Sequence, residues 1–338
     1  MKIVFKLVSV LCMAAVSVFA IAVALPETHK DENIVSAKGY KTILTLWHVD
    51  SFEGGVGSRA DFLNNALLKL NDSGIITLVK THTEESVAAA IEKGETPDLI
   101  SFGTGCSSAI RLAREVFSSG FKGGEAGGKT YAVPWCFGGY YLITKTEYNR
   151  LIEGLLTSDE KKISELIVSQ GKNTLPVLAL KVAGITAENA VYLPNKDAYA
   201  EFLGKKGVVL LGSQRDLRRL EKRGTEFAAI PLEGYSDLVQ YIAVTTRNDE
   251  KYKYCEEVVK CLSGEKTQSE LYKTGMMRTD GKENSGAEFF GYDFSENTYT
   301  LSPFLSGELI ASAKNELNER KTDVKISENV KSGLKYLK

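Results

Sequence analysis

Histidine is scarce in this chain. There are three in 338 residues, His29, His48 and His82, and none stands at metal-ligand spacing from a cysteine. A zinc site is therefore not expected. Neither sign of charge is in excess: 42 Lys and Arg stand against 43 Asp and Glu, a net of −1. That removes the broad basic field which nucleic acid or an anionic lipid surface requires. No internal repeat, low-complexity block or long Pro- or Ser-rich linker interrupts the sequence. Tryptophan occurs only twice, as Trp47 and Trp135. What remains is an ordinary soluble composition, 43% hydrophobic and 25% charged, over a length suited to two lobes with separate cores.

The N-terminus departs from that composition. Lys2 and Lys6 precede an apolar run over residues 7–25, after which the chain turns polar at PETHKDEN. This pattern predicts export, with residues 1–25 either cleaved as a signal near Ala22 and Ala24 or retained as an anchor. The domain that follows is expected to be periplasmic or extracellular, with residues 26–40 as a linker. Cys12 follows Ser9, Val10 and Leu11. The bulky leucine stands where a lipoprotein signal carries a small residue, so Cys12 reads as unmodified. Four cysteines remain in the exported part: Cys106, Cys136, Cys255 and Cys261. The last two sit six residues apart on one expected helix, roughly 9 Å of axial rise, beyond disulfide reach. Cys106 and Cys136 read equally as a disulfide or as two buried thiols.

Residues 123–143 read GGEAGGKTYAVPWCFGGYYLI, and the first eight satisfy the G-x-x-x-x-G-K-[ST] pattern of a phosphate-cradling loop. Such a loop works only between an apolar strand and a helix, whose N–H groups converge on phosphate. SSGFK precedes it without strand character, and Pro134 with two glycines follows, which forbids a helix. The match lacks its mechanism. A surface turn leading into the strand YAVPW is the expectation here, and no nucleotide cofactor is implied.

Upstream, the periodicity alternates between strand and helix. TILTLWHV, over residues 42–49, predicts a buried strand. A helix follows, with Ser58 as N-cap and Phe62, Leu63, Ala66, Leu67 and Leu70 on one face. GIITLVKTH is a second strand, Thr83 caps EESVAAAIEK, Gly94 closes it, and PDLISFG is a third strand. This is α/β grammar with a parallel sheet. Downstream, residues 145–169 read as mostly helical and residues 196–203 as a short helix. KKGVVLLGSQRD reads as a strand with a polar loop. FAAIP and LVQYIAV read as further strands, followed by a helix that turns Tyr252, Cys255, Val258, Val259 and Leu262 inward. The tail from residue 307 reads as two amphipathic helices.

In this order the pieces resemble an extracellular solute-binding protein of the maltose-binding-like family, the receptor component of ABC importers. TLWHVDSFEGGVGSRADFL resembles its first strand, ligand loop and helix. AAAIEKGETPDLISFGTG resembles the next helix and third strand, and GGKTYAVPWCFGGYYLITKTEYN the segment where the chain first crosses between lobes. KKGVVLLGSQRD, AAIPLEGYSDLVQYIAV and EEVVKCLSGEKTQSELYKTGMMRT follow the order of the second half. The resemblance covers nearly all of residues 41–280. It implies a two-lobed periplasmic-binding-protein type 2 fold, lobe one from residues 41–134 and 238–284, lobe two from residues 135–237 and 285–338. It further implies a monomeric, non-enzymatic receptor that passes its solute to permease subunits. The segment between Tyr148 and Tyr199 is shorter than the family's usual one, so helices that line the groove are expected to be missing.

In open α/β sheets a ligand lies beyond the carboxyl ends of the strands. Those ends, with nearby aromatics, give the candidate ligand residues Trp47, His48, Ser51, Phe52, Glu53, Thr104, Trp135, Phe137, Tyr140, Gln214, Tyr235 and Asp237. Flat rings beside hydrogen-bonding side chains suit a sugar, whereas phosphate or amino-acid ligands call for concentrated Arg or N–H nests. Pro134, Gly138 and Gly139 are the hinge candidates, because proline fixes chain direction and glycine absorbs dihedral change. Two other readings share the fold. A thiaminase-like enzyme would use Cys106 or Cys136 as nucleophile, and a sensory module would report solute to a signalling partner.

Overall fold

The computed structural model describes residues 39–52, 57–117, 122–280, 282 and 298–319. The chain divides into residues 1–40 and 41–338, and everything below concerns the second unit. Glu53 and the expected signal segment lie outside the described residues.

Two five-stranded sheets organise the chain. The first contains β1 (Thr42–Val49), β2 (Ile75–His82), β3 (Leu99–Phe102), β6 (Val133–Phe137) and β12 (Val239–Val244), in the order β2-β1-β3-β12-β6. β1 pairs in parallel with both β2 and β3, and β12 runs antiparallel to β3 and β6. β1 keeps the bounds its composition predicts. Its last four residues are all buried, as a strand covered on both faces requires. Two helices connect the parallel strands, α1 (Arg59–Leu67) and α2 (Glu84–Glu92). Ser58 Oγ caps α1 by accepting from Asp61 N at 3.1 Å. Thr83 and Ser86 cap α2 reciprocally, at 3.2 and 3.0 Å.

The second sheet contains β7 (Tyr140–Lys145), β8 (Lys162–Gln170), β9 (Thr186–Pro194), β10 (Val209–Ser213) and β11 (Phe227–Pro231), in the order β11-β7-β10-β8-β9. Its helices are α3 (Val177–Val182), α4 (Asn195–Gly204) and α5 (Gln214–Arg223). The helix α6 (Asp249–Ser263) returns to the first sheet, with Cys255, Val258, Val259 and Leu262 buried as expected. The helix α7 (Gly307–Glu319) is the first of the two expected in the tail; the second lies outside the described residues.

Three sequence expectations need correction. Residues 145–169 are not mostly helical: one 3-10 segment spans Thr146–Leu151, and β8 begins at Lys162. KISELIVSQ carries Ile163, Leu166, Ile167 and Val168 into the core, and parallel partners on both sides fix it as a strand. The stretch after β10 is not a polar loop but α5, because Ser213 and Asp216 form a capping box. The crossing between lobes does not begin after Pro134. Trp135, Cys136 and Phe137 stay in the first sheet, and only Gly138 and Gly139 separate β6 from β7. Pro134 therefore sits within β6, an edge strand, beside a bulge at Trp135 where the pairing with β12 shifts register.

The phosphate-loop pattern resolves into a hairpin. β4 (Glu125–Ala126) and β5 (Lys129–Thr130) pair antiparallel, joined by Gly127 and Gly128 at φ +58 and +76. Two consecutive positive φ values are the signature of a two-residue hairpin turn, which glycine adopts without strain. Lys129 points outward to Glu115, with Nζ 2.6 Å from Oε2. Lys129→Ala should leave the melting temperature and any solute affinity unchanged. ATP hydrolysis that this substitution abolishes would overturn the hairpin reading.

Candidate functional site

The strand ends of both sheets face one cavity of about 780 Å³. The first lobe contributes Val49–Phe52 after β1, Thr81–Glu85 after β2, and Gly57, Arg59 and Thr274. The second contributes Gln170–Lys172 after β8, Pro194–Lys196 after β9, and Arg215 at the start of α5. This is where an open α/β sheet presents a ligand site, here doubled across two lobes. The wall carries charge of both signs: Asp50, Glu84 and Glu85 on the first lobe, Lys172, Lys196 and Arg215 on the second.

Polar contacts rigidify the β1 end. Trp135 Nε1 donates to Ser101 Oγ at 3.0 Å, and Gln240 Nε2 reaches the same oxygen at 3.2 Å. Ser101 Oγ lies 3.0 Å from His48 Nδ1, and His48 Nε2 lies 2.9 Å from Asp50 Oδ1. With Asp50 ionised, Nε2 carries the proton and Nδ1 accepts from Ser101. Arg59 Nε adds a bond to Asp50 Oδ1 at 2.7 Å, Arg59 Nη2 donates to Phe52 O, and the guanidinium lies 4.3 Å from the Phe52 ring centre. Burial pushes the His48 pKa below its ordinary value, more than Asp50 raises it. Burial would raise Asp50, but the His48 bond and the Arg59 charge overcome it and hold that carboxyl far below its usual range.

Of the twelve candidate residues, Ser51 and Phe52 border the cavity. Trp47 lies one layer behind: its ring packs at 4.5 Å on His82, which does border it. His48 is fully enclosed within the network above. Trp135 is fully buried and stacks on Phe62 at 6.0 Å, and Phe137 is buried in its strand. Tyr140 and Tyr235 stack at 6.4 Å and both donate to Asp237, at 2.6 and 3.0 Å. Gln214 is buried at the crossing, where its Oε1 accepts from Gly139 N at 3.1 Å and its amide fills the space beside Gly138. Thr104 donates to Asn173 O at 3.0 Å, joining the two lobes. Sequence reasoning missed His82, Glu84, Lys172 and Asn195 as cavity residues. Their signal was positional, since each stands at or just beyond a strand end.

Four cysteines fall among the described residues. All four are free thiols, so Cys106 and Cys136 are not bridged. Burial pushes Cys106 up to about 11 and Cys136 up to about 12, the opposite of what a reactive thiolate needs. Among the described residues no group of His, Cys, Asp and Glu could hold a metal ion, and no helix is long and apolar enough to cross a membrane.

No family model matches the sequence, and no curated protein matches it. Solved structures do match its shape. The galacto-N-biose/lacto-N-biose I-binding protein of a Bifidobacterium longum ABC transporter aligns with a TM-score of 0.55 at 13% identity, over 88% of this chain and 96% of its own. The maltose-maltodextrin binding protein of Alicyclobacillus acidocaldarius aligns at 0.52 and 13% identity, over 88% of this chain and all of its own. Iron-bound HitA of Pseudomonas aeruginosa aligns at 0.51 and 15%, over 82% and 99%. The chain thus has the two-lobed α/β fold of the ABC solute-binding proteins, the periplasmic-binding-protein type 2 architecture. The likeness establishes the fold; sugars and iron are both carried on it.

Two outcomes test the network at the β1 end. Trp135→Ala should cost about 3–5 kcal/mol in denaturant unfolding, the range for emptying a buried indole site. His48, depressed by burial, stays neutral when folded while the unfolded histidine takes up a proton below pH about 6.5. The unfolded state then binds more protons, so stability should fall as pH drops through that value. His48→Asn should reduce that slope between pH 7 and 5, leaving the part carried by His82, which burial also lowers; an unchanged slope would assign it to other groups.

Proposed function

We propose that the chain is an extracytoplasmic solute receptor that closes its two lobes over a sugar or short oligosaccharide and delivers it to an ABC permease. The supporting observation is the cavity itself. Strand ends of two sheets face each other across it, and among the described residues two short crossings, 138–139 and 232–238, run between the sheets. Closure over a solute that touches both walls is a population shift, driven by contacts that exist only when the lobes meet. The resemblance of the sequence pieces and the fold shared with sugar-binding proteins support the same reading.

For the sugar, the support is the lining. Hydroxyl groups each need a donor and an acceptor. The wall offers carboxylates at Asp50 and Glu84, amides at Gln170 and Asn195, and cations at Lys196 and Arg215. Among the described residues Phe52 and His82 bring flat rings to the space. The expected N-terminal signal and the permease partner belong to this reading and rest on the sequence.

A thermal-shift panel of neutral and acidic oligosaccharides, amino acids and oxyanions tests it, since a ligand of the native state raises the apparent stability. A sugar that shifts the melting temperature supports the reading. A shift from another class alone keeps the receptor and discards the sugar, and no shift from any member discards both. With the active sugar in hand, Phe52→Leu should weaken binding about tenfold, or about 1.4 kcal/mol. That change keeps an apolar side chain under the wall and removes only the ring face.

A further inference from the structure

Residues 171–175 read GKNTL and follow directly from β8. Groups associated with the second lobe hold this segment from behind. Lys314 Nζ on α7 donates to the carbonyls of Gly171 and Lys172, the latter at 2.7 Å. Thr174 Oγ1 accepts from Gly171 N at 2.9 Å, and Asp237 accepts from Leu175 N. The first lobe holds it from the front. Asn173 O accepts from Thr104, Asn173 Nδ2 donates to Glu84, and Lys172 Nζ lies 3.0 Å from Glu84 Oε2 and 2.7 Å from Glu85 Oε1. Gly105, at φ +95, lets the backbones close: a β-carbon there would fall 2.4 Å from Asn173 Nδ2.

We propose that this segment is a latch that holds the lobes together in the solute-free chain, so that solute enters after the latch releases. Gly171 and Lys172 also border the cavity, facing Glu84 and Glu85, so the contact stands at its edge. None of these bonds needs a solute to complete it. The strength is unevenly spread. Asn173 and Thr104 are 2% exposed each, and breaking their bonds without water access would leave buried polar groups unmatched. The Lys172 side chain is 66% exposed, where ion pairs contribute little and salt screens them. The buried asparagine, rather than the ion pair, therefore dominates the latch. The inference concerns the solute-free chain and holds whatever the solute is.

Single-molecule energy transfer tests it on the full chain without solute. Dyes go on Lys93→Cys in the first lobe and Lys222→Cys in the second, both exposed positions, in a Cys12→Ser, Cys261→Ser background. The parent should give one high-transfer population. Thr104→Val with Asn173→Ala should move most molecules to lower transfer, while Lys172→Ala should shift far fewer. Should the double variant melt early, Asn173→Asp is read in the same way. It keeps the shape of the side chain and sets a carboxylate against Glu84. A parent that already shows the low-transfer population, or folded variants with unchanged transfer, overturns the latch. Because no solute is present, that result leaves the receptor reading to the ligand panel.

Discussion

A carboxylate sealed from water ties together the segments at one crossing between the two sheets. Asp237 stands in the short stretch that leads from β11 back to β12, and it is 1% exposed. Burying a carboxylate is costly unless hydrogen bonds replace its water. Here Tyr140 supplies one from the first residue of β7, Tyr235 one from the crossing itself, and Leu175 N one from the segment before α3. Burial pushes the Asp237 pKa up, and the three donors oppose that rise. One residue thus joins the crossing, the second sheet and the segment that reaches over to the first lobe. Any motion between the lobes must either carry these partners together or expose the carboxylate.

The neighbouring crossing is built to the same tolerance. Gly138 has no room for a side chain, because a β-carbon would lie 2.4 Å from the amide of Gln214. Ser236 Oγ donates to Gly138 O, and Gly138 N donates to Leu238 O at 2.7 Å. Gly138 thus serves close packing against Gln214, whatever rotation it also permits. A freely swivelling joint would leave these groups in water. This joint has a defined resting arrangement, and an alternative arrangement must find other partners for the same buried donors.

Local chemistry made much of this legible beforehand. The bounds of β1, the caps Ser58 and Thr83, and the inward face of α6 follow from side-chain type and spacing, and the structure has them. β8 was illegible for a physical reason. Its outer residues Glu165 and Lys162 bond Asn189 and Glu188 on β9, partners more than twenty residues away. Without that pairing, KISELIVSQ carries charges at spacings that also suit a helix. The crossing was misread by a few residues because the apolar run 131–143 serves first one sheet and then the other, with only two glycines to mark the change.

The candidate site was legible by position and much less by residue type. Large aromatics suggested ring platforms, yet Trp135, Phe137, Tyr140 and Tyr235 are enclosed. Trp135, Tyr140 and Tyr235 stack and donate to Ser101 and Asp237, which shapes the wall from behind. Phe52 is left at the surface of the cavity, with Trp47 reaching it only through His82. On the receptor reading proposed above, recognition in this cleft would lean on hydrogen bonds and charge more than on stacking. Such contacts weaken in open water and strengthen as water leaves. A cleft walled in this way discriminates among solutes chiefly in its closed state, where an unmatched carboxylate or guanidinium is most costly. If the lobes close as proposed, the geometry of closure at Asp237 and Gly138 becomes part of the specificity of the wall.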